Sequence, residues 1–228
     1  MERNRGFSAI FDWLLARATG MRTPRRRIQA TFAVGPRLEV HIGAGTCRIV
    51  GASVTAVELD MTVKAFTDEE ASRVSYTTQE RDGITKLLID GPFSGSRNLA
   101  TVDLALRVPR GVRVDVHSSM GTVKAQDVDQ IGVHASMGAV EIANAHADTY
   151  VDAQMGAVRV ALAPDWRGSG IALNASMGAA TLLVPAGVHL NCEATSSLGS
   201  VKVGVGSYPD APTARVSTSM GAVRIAPG

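Results

Sequence analysis

From Gly111 onward, apolar or small residues stand at every second position with polar residues between them, which is the period of half-buried β-strands. Six glycines set the frame: Gly121, Gly138, Gly156, Gly178, Gly199 and Gly221. Five residues before each stand Val116, Val133, Val151, Leu173, Ala194 and Val216, and three before stand only small residues, from Ser118 to Thr218. Beyond the glycine the apolar face resumes, first with Val123, Val140, Val158, Ala180, Val201 and Val223, then with Ala125, Ile142, Val160, Leu182, Val203 and Ile225. Each unit therefore predicts two strands joined at a glycine corner, where the backbone must bend sharply. An earlier copy leads through Leu38, Val40, Ile42 and Ala44 to Gly45, making seven corners. The Met or Leu just before the later glycines keeps the parity of the inner face. Met120, Met137, Met155, Met177 and Met220 are thus expected inside, with an exposed hydrophobic edge as the alternative.

Successive later glycines are 17, 18, 22, 21 and 22 residues apart. A fixed corner with a variable far side, repeated near every twenty residues, is the mark of stacked coils. The fold predicted is all-β, a β-solenoid or parallel β-helix-like stack occupying residues 30–228, regular over 111–228 and less regular over 30–110. In the irregular part Val57 to Ala65 alternates as a strand. Thr67-Asp68-Glu69-Glu70 opens a short helix with a capping box, and Asp82-Gly83 joins two further strands in a hairpin. Val102 to Val108 alternates again. Between Gly168 and Val188 no charge occurs, yet Asn174, Ser176, Thr181 and Pro185 and the unbroken two-residue period argue against a membrane span.

The alternating valines, the corner phrase Ser-Ser-Met-Gly-Thr-Val at 118–123 with its later copies, and the preceding Val108-Pro109-Arg110-Gly111 resemble the bacterial putative-adhesin domains of "toastrack" solenoid fold. The resemblance runs from about Ala30 to Ile225. It implies that fold, a place in the bacterial envelope and a role in adhesion or envelope stress. One departure is the Met or Leu before the glycine, where many relatives carry a small polar residue.

Charge changes the picture at the amino end. Residues 1–27 hold seven arginines against Glu2 and Asp12, a net of +5 in a chain of +2 overall. Phe7, Ile10, Phe11 and Leu14 recur at helical spacing with Trp13 beside them, and Arg25, Arg26 and Arg27 follow. This reads as a short amphipathic helix with a polybasic tail for an anionic membrane surface, or else as a cap on the solenoid. Asp12 and Arg17 interrupt the apolar run that a signal peptide requires. The expected place is cytoplasmic and peripheral to the membrane, the alternative being the cell envelope or exterior.

Chemistry is sparse. An outward column four residues before the corners, His41, His117, His134, Asp152, Asn174, Thr195 and Ser217, reads as a solvated polar face rather than a metal site. A second column, Arg48, Lys124, Glu141, Arg159, Thr181, Lys202 and Arg224, mixes signs and lacks the aromatics that stack on bases, so nucleic acid is not expected. Cys47 and Cys192 lie in apolar columns and predict buried free thiols. No catalytic residue, cofactor, metal or small-molecule substrate is expected. The protein reads as a non-enzymatic scaffold acting by self-association or protein contacts. After the corner at Gly221 only one short strand with Val223 and Ile225 remains. These two residues are therefore expected to pair copies end to end, as a dimer or filament.

Overall fold

Two sheets share their middle strands, and the shared strands bend through the first two glycine corners. The computed structural model describes residues 25–93 and 100–228. The helix expected around Phe7, Ile10, Phe11, Trp13 and Leu14 lies outside these residues. β2 (Arg37–Ala52) and β7 (Arg113–Gln126) each run unbroken through a corner, whereas later coils divide there into two strands. The three complete coils that follow in sequence are β8 (Gln130–Met137) with β9 (Val140–Ala145), β10 (Thr149–Met155) with β11 (Val158–Leu162), and β12 (Gly170–Met177) with β13 (Ala180–Val184). Next come β14 (Asn191–Leu198) with β15 (Val201–Val203), then β16 (Thr213–Met220) with β17 (Val223–Pro227).

All these coils stack in parallel and in register, so the columns legible in the sequence become ladders. Val114, Ile131, Thr149, Ile171, Ala214 and Cys192 form one such ladder. The inner faces merge into one core that includes Val116, Leu173, Leu182 and Val216, all fully buried. Among described residues the regular structure is almost wholly strand, and no helix is long and apolar enough to cross a membrane.

Stacking order departs from chain order at one place. β16 pairs with β12 on one side and β14 on the other, and β17 likewise lies between β13 and β15. The chain thus lays down β14–β15 one coil further out and then returns to fill the space between.

The irregular part broadens the other end of the stack. β1 (Arg25–Phe32) pairs antiparallel with β3 (Val57–Lys64), which pairs antiparallel with β6 (Thr101–Pro109), which runs parallel to the second half of β2. On the other sheet β4 (Ser75–Arg81) and β5 (Ile84–Asp90) form a hairpin through Asp82 and Gly83, both at positive φ, and β5 joins the first half of β2. α1 (Asp68–Ser72) starts with the full capping box of Thr67 and Glu70. The leader expected over residues 1–27 is shorter than drawn. Arg25, Arg26 and Arg27 open β1, where alternation with Ile28, Ala30 and Phe32 sets the strand against the core. Arg27 is bound by Asp60, and Arg26 donates to the carbonyls of Ser72 and Val74.

Candidate functional site

Three surfaces carry the side chains that could meet a partner: a histidine ladder, a methionine ladder and the outer coil. The first lies on the outward column before the corners. His41, His117 and His134 face one another across β2, β7 and β8. Their rings stack with centroids 4.5 and 5.0 Å apart and planes within 10°. Tyr150 closes on the His134 ring at 5.3 Å. Asp152 continues the ladder, and Ser217 donates to Asn174 at 2.6 Å further along.

Beneath the first rung stands Glu39, two residues before His41 and so on the same outward face. Its Oε1 lies 2.7 Å from His41 Nε2, 3.8 Å from His117 Nε2 and 3.3 Å from Lys86 Nζ. Partial burial works to raise the Glu39 carboxyl, but bonding and charge from His41 and Lys86 outweigh it and hold it below the usual carboxylate range. Burial, then the charges of His41 and His134, push His117 down, against smaller opposing pulls from Glu39 and Asp115. A groove of about 360 Å³ opens beside the ladder, bordered across by Leu88, Ile89 and Asp90 at the end of β5. The column of outward residues was legible as a column. Glu39 was missed as part of it, because the residue two places earlier varies from coil to coil and only here is a carboxylate turned toward the imidazoles.

The corresponding carboxylate of the next coil, Asp115, is engaged elsewhere. It is almost fully buried and takes Arg37 Nε at 2.6 Å and Arg113 Nε at 3.1 Å. The next coil carries Gly132 at this level, where a Cβ would collide with the Asp115 carboxylate.

The methionines are outside, contrary to the parity expectation. Met120, Met137, Met155, Met177 and Met220 are all 38 to 48 % exposed and pair in register from coil to coil. The ladder pairing passes from Ser118 directly to Met120, so Ser119 and Met120 both round the outside of a convex corner and the two-residue alternation fails there. In the first coil the equivalent residue, Ala44, is buried, and the ring of Phe93 sits against neighbouring Gly43.

The outer coil is not the one expected. Val223 and Ile225 are 1 and 0 % exposed, because β17 has β13 on one side and β15 on the other. They are interior, and cannot pair copies of the chain. The coil at the edge is β14–β15, where Leu198, Val201 and Val203 are 70, 46 and 44 % exposed. Among the described residues nothing pairs with its outer side. The outward column after the corner remains mixed in sign, with Lys124 bound to Glu141 at 2.8 Å.

No protein-family model matches the sequence, and no curated protein is significantly similar to it. Solved structures do resemble it. A putative cell adhesion protein from Clostridium sporogenes matches 89 % of this chain and all of its own, at 14 % identity and a TM-score of 0.51. A putative adhesin from Bacteroides fragilis matches 88 % of this chain and 97 % of its own, at 12 % identity and a TM-score of 0.39. A putative lipid binding protein from Parabacteroides distasonis matches 88 % and 96 %, at 11 % identity and a TM-score of 0.32. The parallel stack, its glycine corners and the likeness to the Clostridium protein together give this chain the fold of the bacterial putative adhesins.

Proposed function

We propose that this protein is a non-enzymatic β-solenoid scaffold of the bacterial envelope that associates with a second copy of itself through the coil β14–β15. The observation that carries the reading is the edge itself. Leu198, Val201 and Val203 are exposed there, while Val223 and Ile225, the counterparts of the two valines one coil inward, are covered. Unpaired strand backbone beside exposed apolar side chains is a template for another strand, and a second copy offers the same edge. Lys202 and Arg224 are adjacent rungs of this edge, and Glu193 is bound by Arg215 at 2.8 Å, so the polar rim holds both signs. Two copies related by a two-fold axis can set one sign against the other. β1 lies at the opposite margin of its sheet from β15. An amino-terminal attachment to the cytoplasmic membrane face would therefore leave the outer coil pointing away from the lipid, free to meet a second copy.

Sedimentation tests the reading. Wild-type protein at micromolar concentration should run as a dimer or larger, and Val201→Lys with Val203→Lys should give a folded monomer. A wild-type monomer would remove the proposal. A second reading, an outward-facing adhesin, is favoured by the fold shared with the Clostridium protein. Protease digestion of the chain in intact cells, with protection in the scaffold case and cleavage in the adhesin case, separates the two.

A further inference from the structure

We propose that Glu39, His41 and His117 form a binding site for a divalent transition-metal ion of the zinc class, bridging the first two coils and open toward the groove beside them. The site is independent of the outer coil and lies toward the other end of the stack. Three ligand atoms, one from each residue, fall within 4.8 Å of one another. That convergence is built by the ladder. His41 and His117 are direct partners across parallel strands, which brings the Nε2 atoms of both near one carboxylate oxygen, at 2.7 and 3.8 Å. Tetrahedral zinc with bonds of about 2.0–2.1 Å holds neighbouring ligand atoms about 3.4 Å apart. The distances present, 2.7 and 3.8 Å, straddle that value. Because the rings are stacked, binding one ion requires them to turn out of the stack so that both Nε2 lone pairs meet at it, and both are partly exposed and have room to turn.

A plain hydrated face would not need a carboxylate sunk beneath two imidazoles. The Glu39 side chain is 13 % exposed, against 37 and 38 % for the two histidines above it. The same ladder provides no second place for an ion at this level: Asp115 is taken by Arg37 and Arg113, and Gly132 follows. Imidazole and carboxylate together suit zinc, nickel or cobalt rather than magnesium or calcium, which favour all-oxygen sites. Three protein ligands leave a coordination position free, and His41 and His117 both line the groove that His134, Asp152 and Asp90 also border. A carboxylate or phosphate of a bound partner could complete the sphere there. Lys86 Nζ, 3.3 Å from Glu39 Oε1, holds the carboxylate when no ion is present and competes with one.

The test is titration of the full chain with Zn²⁺ by calorimetry in chelator-free buffer, with Co²⁺ absorption as an optical readout of imidazole ligation. One equivalent per chain is expected. His117→Gln, His41→Gln and Glu39→Gln should each weaken binding at least about tenfold. His146→Gln and His189→Gln, both away from the site, should change it by less than about twofold, and Lys86→Gln should tighten it. Metal-free thermal melts check that each variant folds; should Glu39→Gln fail, the exposed His117→Gln carries the test. No binding by the wild type at high micromolar Zn²⁺ would overturn the proposal. So would binding untouched by His117→Gln, which would move the ion to His146 or His189, or weakening by Lys86→Gln.

Discussion

Each corner glycine occupies a place that its neighbour in the stack denies to any larger residue. Gly138 has φ +128°, and a Cβ there would run into the carbonyl oxygen of Gly121; the same holds from coil to coil up to Gly199 against Gly221. Gly138→Ala combines left-handed strain with a backbone collision, so it should cost at least about 3 kcal/mol in thermal or urea unfolding. A loss under about 1 kcal/mol would mean that the corner relaxes freely. Met137, one residue away, gives the opposite result. Being exposed, Met137→Ala should leave stability within about 0.5 kcal/mol of wild type. The thiols divide in the same manner. Burial pushes the Cys47 thiol up to about 12, while Cys192, at the outer coil, is raised by partial burial and remains half-exposed. Thiolate is the reactive form, so at pH 8 the buried Cys47 stays protonated and unreactive. A chromogenic disulfide reagent should therefore titrate one thiol in the native protein and two in denaturant, and rapid reaction of both without denaturant would contradict the burial of Cys47. At this scale the columns were readable, because alternation is a local property of a strand. The methionines were misread because parity does not survive a convex bend, and the bend adds an outward residue that alternation alone cannot reveal.

Among the elements, the coil β16–β17 matters most, since it is held on both sides. Val223→Lys or Ile225→Lys places a charge in a fully buried ladder, and the expected outcome is loss of the folded state rather than a soluble monomer. The same change at Val201 should be tolerated. A chain cut back to residue 207 loses the strands that tie β14–β15 to the stack. Limited proteolysis of that shortened protein, read by mass spectrometry, should trim it further to about Val184. Survival of β14–β15 would show that they dock directly on β12–β13. Two coils in sequence look like two coils in space, and nothing in the local pattern of either records which lies outside. A faint signal existed. The inward columns of β14 hold Cys192, Ala194 and Ser196, against Ala214, Val216 and Thr218 in β16. The smaller and more polar set belongs to the coil with one neighbour, whose inner face is incompletely covered. The histidine ladder was legible for the same reason as the other columns, while Glu39 required knowing which rung lay beside which carboxylate.

For the molecule as a whole, the stack has two unlike ends. One is broadened by antiparallel strands and α1, which close off the core beyond β2. The other, among the described residues, stops at a parallel coil with nothing paired to its outer side. Surface ion pairs such as Arg107 with Glu58 and Arg215 with Glu193 are exposed and contribute little to stability. The aliphatic interior dominates, and it is continuous from Leu38 to Ile225. On the proposed peripheral reading, residues 1–24 carry the attachment to the membrane. Removing them should abolish sedimentation with anionic vesicles at low salt while leaving the melting temperature close to that of the full chain, because the ladders lie downstream. Full-length protein that ignores such vesicles would defeat a peripheral membrane role. The return of the chain to place β16–β17 inside β14–β15 also gives the fold a moment of completion. A nascent or clipped chain that lacks residues 213–227 leaves β12–β13 and β14–β15 each without the neighbour that β16–β17 supplies, whereas in the finished chain, among the described residues, only the outer side of β14–β15 stays unpaired at this end of the stack. Proteases and chaperones, which act on such edges, can thereby tell an unfinished copy from a finished one, a distinction that a stack built strictly in order of synthesis would not offer.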